Sequence, residues 1–293
     1  MGARLLHRLP QRPPRLPGRL VERGELEVRG RAVRRLIAFR LPGRPAGRPG
    51  PRWRLALLLV LLPLSGCGVP EPDFRQIEYA PGRSLRLYLP SEPAPSSGHP
   101  AILLFHGGGW HSGSPAGYHR LCAAFAGRGL ACLSAGYRLM PRDALDPAEA
   151  VEDAGLAWRF VQARAVELGL DPARIAAGGG SSGGHLALIA SLDALDAGRP
   201  APRALLLFNP VVDLADRPQG RALPRERWQA ISPRQRLRPG LPPMLIVQGG
   251  ADRDVTPETV SDFCSAVRDL GGDCRVRLYP GQPHGFFNWT YSR

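Results

Sequence analysis

The sequence contains no lysine: all 39 of its basic residues are arginine. A net charge of +14 built this way reads as the codon usage of a GC-rich genome, not as an adapted binding surface. The charge is also unevenly placed. Residues 1–66 hold 15 arginines against three glutamates, and the rest of the chain is close to neutral, with 24 arginines against 22 acids. Basic side chains clustered on a folded domain would mark a nucleic-acid-binding protein, and that arrangement is missing. Long hydrophobic stretches are scarce as well. The apolar run Leu55 to Leu64 has ten residues, whereas a bilayer-spanning helix needs about 20. No histidine and cysteine spacing matches a zinc site. No G-x-x-x-x-G-K-[ST] stretch offers a phosphate cradle, and no internal repeat is visible. The reading at this level calls for no metal, no cofactor and no nucleic-acid partner.

The ten-residue run suits the apolar region of a signal peptide. It follows Arg52 and Arg54 and leads into Leu64-Ser65-Gly66-Cys67, which resembles a bacterial lipobox. Residues 51–67 are therefore expected to be a lipoprotein-type signal peptide, with Cys67 as the lipidated residue. The expected location is the bacterial cell envelope, facing the periplasm or the surface, with a lipid anchor to a membrane. Residues 1–50 are rich in Arg, Pro and Gly and show no sustained apolar periodicity, so they are expected to be a disordered leader. A signal peptide starts at its charged region, yet no methionine lies between Met1 and Met140. An alternative start codon near Val33 or Leu41 would explain this. Residues 68–83 read as a linker, and 84–293 as one folded domain.

Four cysteines remain after Cys67: Cys122, Cys132, Cys264 and Cys274. An even number fits an oxidising compartment. Each pair is ten residues apart, in "LCAAFAGRGLAC" and "FCSAVRDLGGDC", and spans a helix, a glycine turn and a strand. That hairpin brings two Cα atoms within disulfide range. Cys264–Cys274 and Cys122–Cys132 are the candidate disulfides.

Strand and helix patterns alternate along the domain. "SLRLYLP" (84–90) has period-two apolar residues, and "AILLFHGGG" (101–109) begins with an apolar run suited to a strand buried on both faces. A helix around 117–127 and the strand "ACLSAGYRL" follow. A long helix is predicted through "AEAVEDAGLAWRFVQARAVELG". Asp146 is its expected cap, Pro147 stands in its first turn and Glu149 completes a capping box. Then come the strand "RIAAGGG", a helix from Ser182, and the strands "ALLLFNPVV" and "PMLIVQGGAD". A helix opened by "TPET" and the strand "CRVRLYPG" end the series. This alternation predicts an α/β fold with a mainly parallel sheet flanked by helices, in one domain.

The chemistry is carried by strand ends. "RIAAGGGSSGGHLAL" is strand, glycine turn and helix, with G-x-S-x-G in two registers, centred on Ser181 or on Ser182. A serine on such a strained turn is exposed for nucleophilic attack, and its neighbours must be nearly free of side chain. "ILLFHGGGW" ends a strand in His106-Gly107-Gly108-Gly109, whose bare amides can face a developing oxyanion. Asp252 ends the strand of "MLIVQGGADRDVTP", with Asp254 two residues on, and His284 follows the last strand in "YPGQPHGFFN". The order oxyanion loop, Ser, Asp, His is that of the α/β-hydrolase triad.

Residues 84 to 288 resemble an α/β-hydrolase-fold esterase or lipase, of the hormone-sensitive-lipase-like and bacterial acetyl- or feruloyl-esterase-like group. The matching stretches are "HGGGW", "GYRL", "DPARIAAGGGSSGGHLA", "FNPVVD", "LPPMLIVQGGADRDVTP" and "GQPHGFFN". The resemblance implies Ser181 as the nucleophile, because Ser182 then falls in the family's usual alanine position. It also implies Asp252 as the triad acid and His284 as the base. Gly108, Gly109 and Ser182 are the implied oxyanion donors. His106 and His185 read as positioning residues, and His111 and His119 as surface or mouth residues. Trp110 reads as either a wall of the substrate site or a buried structural residue.

The expected activity is hydrolysis of short-chain, acetyl-like esters, with carbohydrate as one bearer of the ester. Too few residues separate Cys67 from the first expected strand for an N-terminal helical cap, so the Pro/Arg-rich stretch 214–241 is the lid material. Three alternatives stand beside this. One is a small-amide hydrolase of the same fold, another a serine peptidase, for whose usual propeller domain the chain has no room. The third is a non-catalytic envelope lipoprotein. The expected partner is a small-molecule ester; the sequence leaves the oligomeric state open.

Overall fold

A computed structural model describes residues 73–288 apart from 216. The expectations for Cys67, the signal peptide and the leader therefore lie outside the described residues. Eight strands form one sheet: β1 (Arg75–Ala80), β2 (Arg83–Tyr88), β3 (His99–Phe105), β4 (Ala131–Ala135), β5 (Leu170–Gly180), β6 (Leu205–Phe208), β7 (Met244–Gly249) and β8 (Cys274–Tyr279). Their order across the sheet is β1-β2-β4-β3-β5-β6-β7-β8. The β1–β2 and β2–β4 pairs are antiparallel, and all pairs from β4 to β8 are parallel.

The helices are α1 (His119–Ala126), α2 (Ala148–Ala163), α3 (Ser182–Asp196), α4 (Pro218–Ala222), α5 (Arg225–Ala230) and α6 (Pro257–Asp269). Among the described residues no helix is long and apolar enough to cross a membrane.

The period-two geometry of a strand explains the double burial of the centre. On β3, Ala101, Leu103 and Phe105 enter a large core shared with α2 and α3. Ile102 and Leu104 point the other way, into a smaller cluster with Tyr118, Cys122 and Cys132. A strand with helices on both sides has no polar face to offer, which is why "AILLF" carries no alternation.

Two expectations are corrected. The stretch 68–83 is not simply a linker, because β1 lies within it and pairs with β2, Ile77 opposite Leu85. Only Tyr79 of β1 is buried, with Ile77 half-buried, so an edge strand with so few apolar residues resembles a polar connection. The long helix also ends at Ala163, and turns follow to 169. Asp146 does accept the Ala148 N–H at 3.1 Å, but Glu149 turns outward to Arg138 and closes no capping box.

The chain after β4 is anchored by charge. The buried carboxylate of Asp153 on α2 accepts from the backbone N–H and the guanidinium of Arg138, and from Arg83. That clamp holds the adjoining Tyr137, whose hydroxyl donates to the His106 carbonyl at 2.8 Å. Two disulfides each fasten a helix to the strand after it: Cys122–Cys132 joins α1 to β4, and Cys264–Cys274 joins α6 to β8.

Candidate active site

β5 ends at Gly180 and α3 begins at Ser182, leaving Ser181 alone on the turn, with φ 53° and ψ −119°. The turn is pinned from below. The Ser181 N–H donates to Phe208 O, and its carbonyl accepts from the N–H groups of His185 and Val211. The flanking glycines are required by contact: a Cβ on Gly183 would stand 1.9 Å from the Phe105 carbonyl oxygen, and one on Gly179 2.4 Å from the same atom. Strand β3 and the start of α3 approach so closely that only hydrogen fits between them.

The two candidate serines differ sharply in setting. Ser182 is fully buried at the start of α3, whereas Ser181 is partly exposed. The Ser181 hydroxyl lies 3.0 Å from Nε2 of His284, and Nδ1 of His284 lies 2.8 Å from Oδ2 of Asp252. His284 reaches the serine because the chain after β8 folds back over the end of β7. The Gly250 N–H donates to Tyr279 O and the Ala251 N–H to Gln282 O.

Asp252, not Asp254, meets the imidazole. Both of its oxygens are fully engaged. Oδ1 accepts the N–H groups of Asp254 and Val255, each at 2.9 Å. Oδ2 accepts from His284, from Asn209 Nδ2 at 2.5 Å and from Gln248 Nε2 at 3.2 Å. Burial opposes ionisation of this carboxyl, but the bonds from His284, Val255 and Asn209 outweigh it and hold the group below the usual carboxylate range. Asp252, Asp254 and His284 could together surround a cation, their donor atoms lying within 4.8 Å. The hydrogen bonds already made to Asp252 leave it no lone pair for a metal.

The glycine loop after β3 lies against this turn, since a Cβ on Gly107 would sit 3.5 Å from that of Ser181. Gly108 and Gly109 have φ of 125° and 62°, backbone that favours glycine. The His106 ring stacks on Tyr137 with centroids 4.2 Å apart, and its Nδ1–H donates to Gly107 O, so the loop is held from behind. Trp110 is buried and meets His185 edge-on at 5.2 Å. His185 is buried beneath α3 and its Nε2–H donates to Ile231 O, tying the helix to the stretch after β6. His111 lies near the Met140 carbonyl. His119 is partly exposed; it packs on Tyr88 and exchanges a 3.0 Å hydrogen bond with that hydroxyl.

The described part of the 214–241 stretch folds into α4, α5 and a short turn of 3₁₀ helix, docked by its arginines. Arg217 donates to Asp254 O, Arg236 pairs with Asp193 and Asp196 of α3, and Arg227 pairs with Asp146. Asn209 and Gln248 received no role from the sequence. Asn209 lies inside the quoted stretch "FNPVVD", but its partner Asp252 is 43 residues away.

Residues 102–238 match a family model described as the alpha/beta hydrolase fold. An ethyl acetate hydrolase of Pseudomonas putida is 36% identical over 135 residues, 45% of this chain and 42% of that protein. An acetyl-hydrolase of Streptomyces hygroscopicus is 37% identical over 150 residues, 50% of this chain and 46% of that protein. The chain thus spans less than half the length of these two curated relatives. Among solved structures, the propionate-bound esterase 2 of Thermogutta terrifontis is 36% identical with a TM-score of 0.65, covering 76% of this chain and 88% of that one. The same esterase has been solved with butyrate bound and phosphoramylated by tabun. A sheet antiparallel only at one edge, the sharp Ser181 turn and these likenesses agree: the chain belongs to the α/β-hydrolase-fold family.

Proposed function

We propose that this chain is a serine carboxylic-ester hydrolase acting on short-chain, acetyl-like esters. The observation that carries the reading is the continuous line from Ser181 through His284 to Asp252, at 3.0 and 2.8 Å. His284 Nε2 takes the hydroxyl proton as Oγ of Ser181 attacks the ester carbonyl, and the Asp252 carboxylate fixes the ring with its proton on Nδ1. The negative oxygen of the tetrahedral intermediate is received by the N–H groups of Gly108, Gly109 and Ser182. Ser182 contributes the first amide of α3, where the helix dipole adds positive potential. His284 returns the proton to the departing alkoxide. Water then repeats the sequence on the acyl-enzyme and releases the acid.

The short-acyl preference draws on the relatives. One is named for ethyl acetate and another for acetyl hydrolysis, and the Thermogutta esterase has been solved with propionate and with butyrate bound. A fluorophosphonate probe should label the purified protein at Ser181. Both labelling and p-nitrophenyl acetate hydrolysis should vanish in Ser181→Ala and persist in Ser182→Ala. Labelling that survives Ser181→Ala would overturn the reading.

We also propose that the protein is an envelope lipoprotein, anchored through Cys67. The apolar run before that cysteine and the two disulfides support export. Metabolic labelling with an alkynyl fatty acid should mark the wild type and not Cys67→Ala. Equal labelling of both would remove the anchor.

A further inference from the structure

We infer that Asn209 is a positioning residue of the reaction, holding the Asp252 carboxylate in line with His284. The inference rests on the hydrolase reading above. Asn209 is the first residue after β6 and has no exposed surface. Its N–H donates to Val247 O at 2.9 Å, so its backbone is locked to β7 one residue before Gln248. The two amide side chains, one from each neighbouring strand end, converge on Oδ2 of Asp252. That oxygen is also the one that accepts from His284. Gln248 Nε2 is shared with the Val255 and Gly249 carbonyls, so Asn209 is the closer and more committed donor. With Oδ1 held by two backbone amides, the carboxylate plane is set by Asn209 on one side and by the Asp254–Val255 turn on the other.

The backbone supplies a second argument. Asn209 has φ 44°, one of three positive-φ residues other than glycine among the described residues, together with Ser181 and Trp110. Glycine would adopt this conformation without strain, and asparagine is among the few side chains that tolerate it. A residue with a purely structural duty here would be better served by glycine. The strain is retained where the side chain has work to do, and the work visible is the bond to Asp252.

Asn209→Gly separates these duties, because it relieves the backbone while deleting the amide. Loss of a buried hydrogen bond to a charged group should lower kcat for p-nitrophenyl acetate by roughly 10- to 100-fold. KM should stay within about twofold, since the amide touches no substrate. The acid limb of the kcat/KM profile should move to higher pH, because a carboxylate that has lost one donor holds the protonated imidazole of His284 more strongly. The denaturation midpoint should fall less in Asn209→Gly than in Asn209→Ala, because glycine relieves the backbone conformation that alanine keeps. Asn209→Ala, assayed per folded molecule, should reproduce the kcat and pH effects if the glycine variant folds poorly. An active wild type whose glycine and alanine variants keep its kcat and its acid limb would overturn the inference alone. A wild type that neither reacts with the probe nor hydrolyses the ester would overturn the esterase reading and this inference with it.

Discussion

His284 Nε2 meets the Ser181 hydroxyl at 3.0 Å across 103 residues of sequence. The two lie at the same edge of a parallel sheet, where every strand from β4 to β8 ends, and β6 and β7 separate them. The loop after β8 closes that gap by lying down on Gly249 and Gly250. A Cβ on Gly249 would stand 2.4 Å from the Gln282 carbonyl. The backbone conformation of Ser181 costs stability, since positive φ is unfavourable for any side chain-bearing residue. Ser181→Gly should therefore unfold at higher denaturant, with a gain of about 1 kcal/mol, while esterase activity is abolished. A stability at or below that of Ser181→Ala would show that the turn is not strained.

Gly183 is expected to be the least replaceable glycine in the turn. An added methyl would overlap the carbonyl oxygens of Phe105 and His106, which are backbone atoms of the central strand and the loop beside it. Neither can rotate away. Gly183→Ala should push α3 off β3 and cost at least about 3 kcal/mol, the scale of severe overpacking. The variant should accumulate as insoluble protein or melt far below the wild type. A soluble Gly183→Ala protein with normal activity would mean that strand and helix lie farther apart than described.

Each disulfide closes a segment of ten residues. Chain entropy for a loop of that size gives about 3 kcal/mol per bridge. The two should act independently, since they fasten different helices to strands on opposite sides of β3 in the sheet order. Cys264→Ser and Cys122→Ser should each lower the unfolding free energy by up to that amount, and the double variant by the sum. Equilibrium denaturation with and without reductant checks this. Identical midpoints would show that the thiols are not paired.

Much of the architecture is legible in residue patterns because burial on both faces removes alternation. "AILLF" suits a strand covered on both sides, and Ala101 to Phe105 are all buried, whereas "MLIV" is equally apolar in sequence although Leu245 is exposed. Polar edges carry no such signal. β1 contains only Ile77 and Tyr79 as sizeable apolar residues, so nothing in "RQIEYA" announced pairing with β2. The order of oxyanion loop, serine, acid and histidine was readable as well. The choice between adjacent serines was open on the glycine pattern alone, because both registers satisfy it. Geometry separates them, since one side chain faces the imidazole and the other is sealed under α3. Asn209 and Gln248 were beyond reach for a different reason. A single buried amide has no periodicity, and its meaning lies entirely in the carboxylate beside it, one crossover away from Asn209 and four residues along from Gln248.

Stability should fall as the pH drops from neutrality, well before the carboxylates protonate. Burial of His185 beneath α3, assisted by the nearby charge of Arg217, pushes its pKa down to about 4, against the opposing effect of its bond to Ile231 O. In the unfolded chain the same imidazole titrates at about 6.5. Between these values the unfolded state binds a proton that the folded state refuses, so stability rises with pH across that window and declines on acidification. The loss from pH 7 to pH 4 should be about 3 kcal/mol from His185. His106, also lowered by burial, acts in the same direction. The carboxyl of Asp252 is held below its usual range, so its contribution is intact through this window and is lost only at lower pH. Denaturation midpoints measured at pH 7 and pH 4.5 should therefore differ markedly in the wild type. The difference should shrink in His185→Gln, which keeps an amide donor for Ile231 O but cannot titrate. An unchanged pH slope in that variant would assign the acid sensitivity elsewhere.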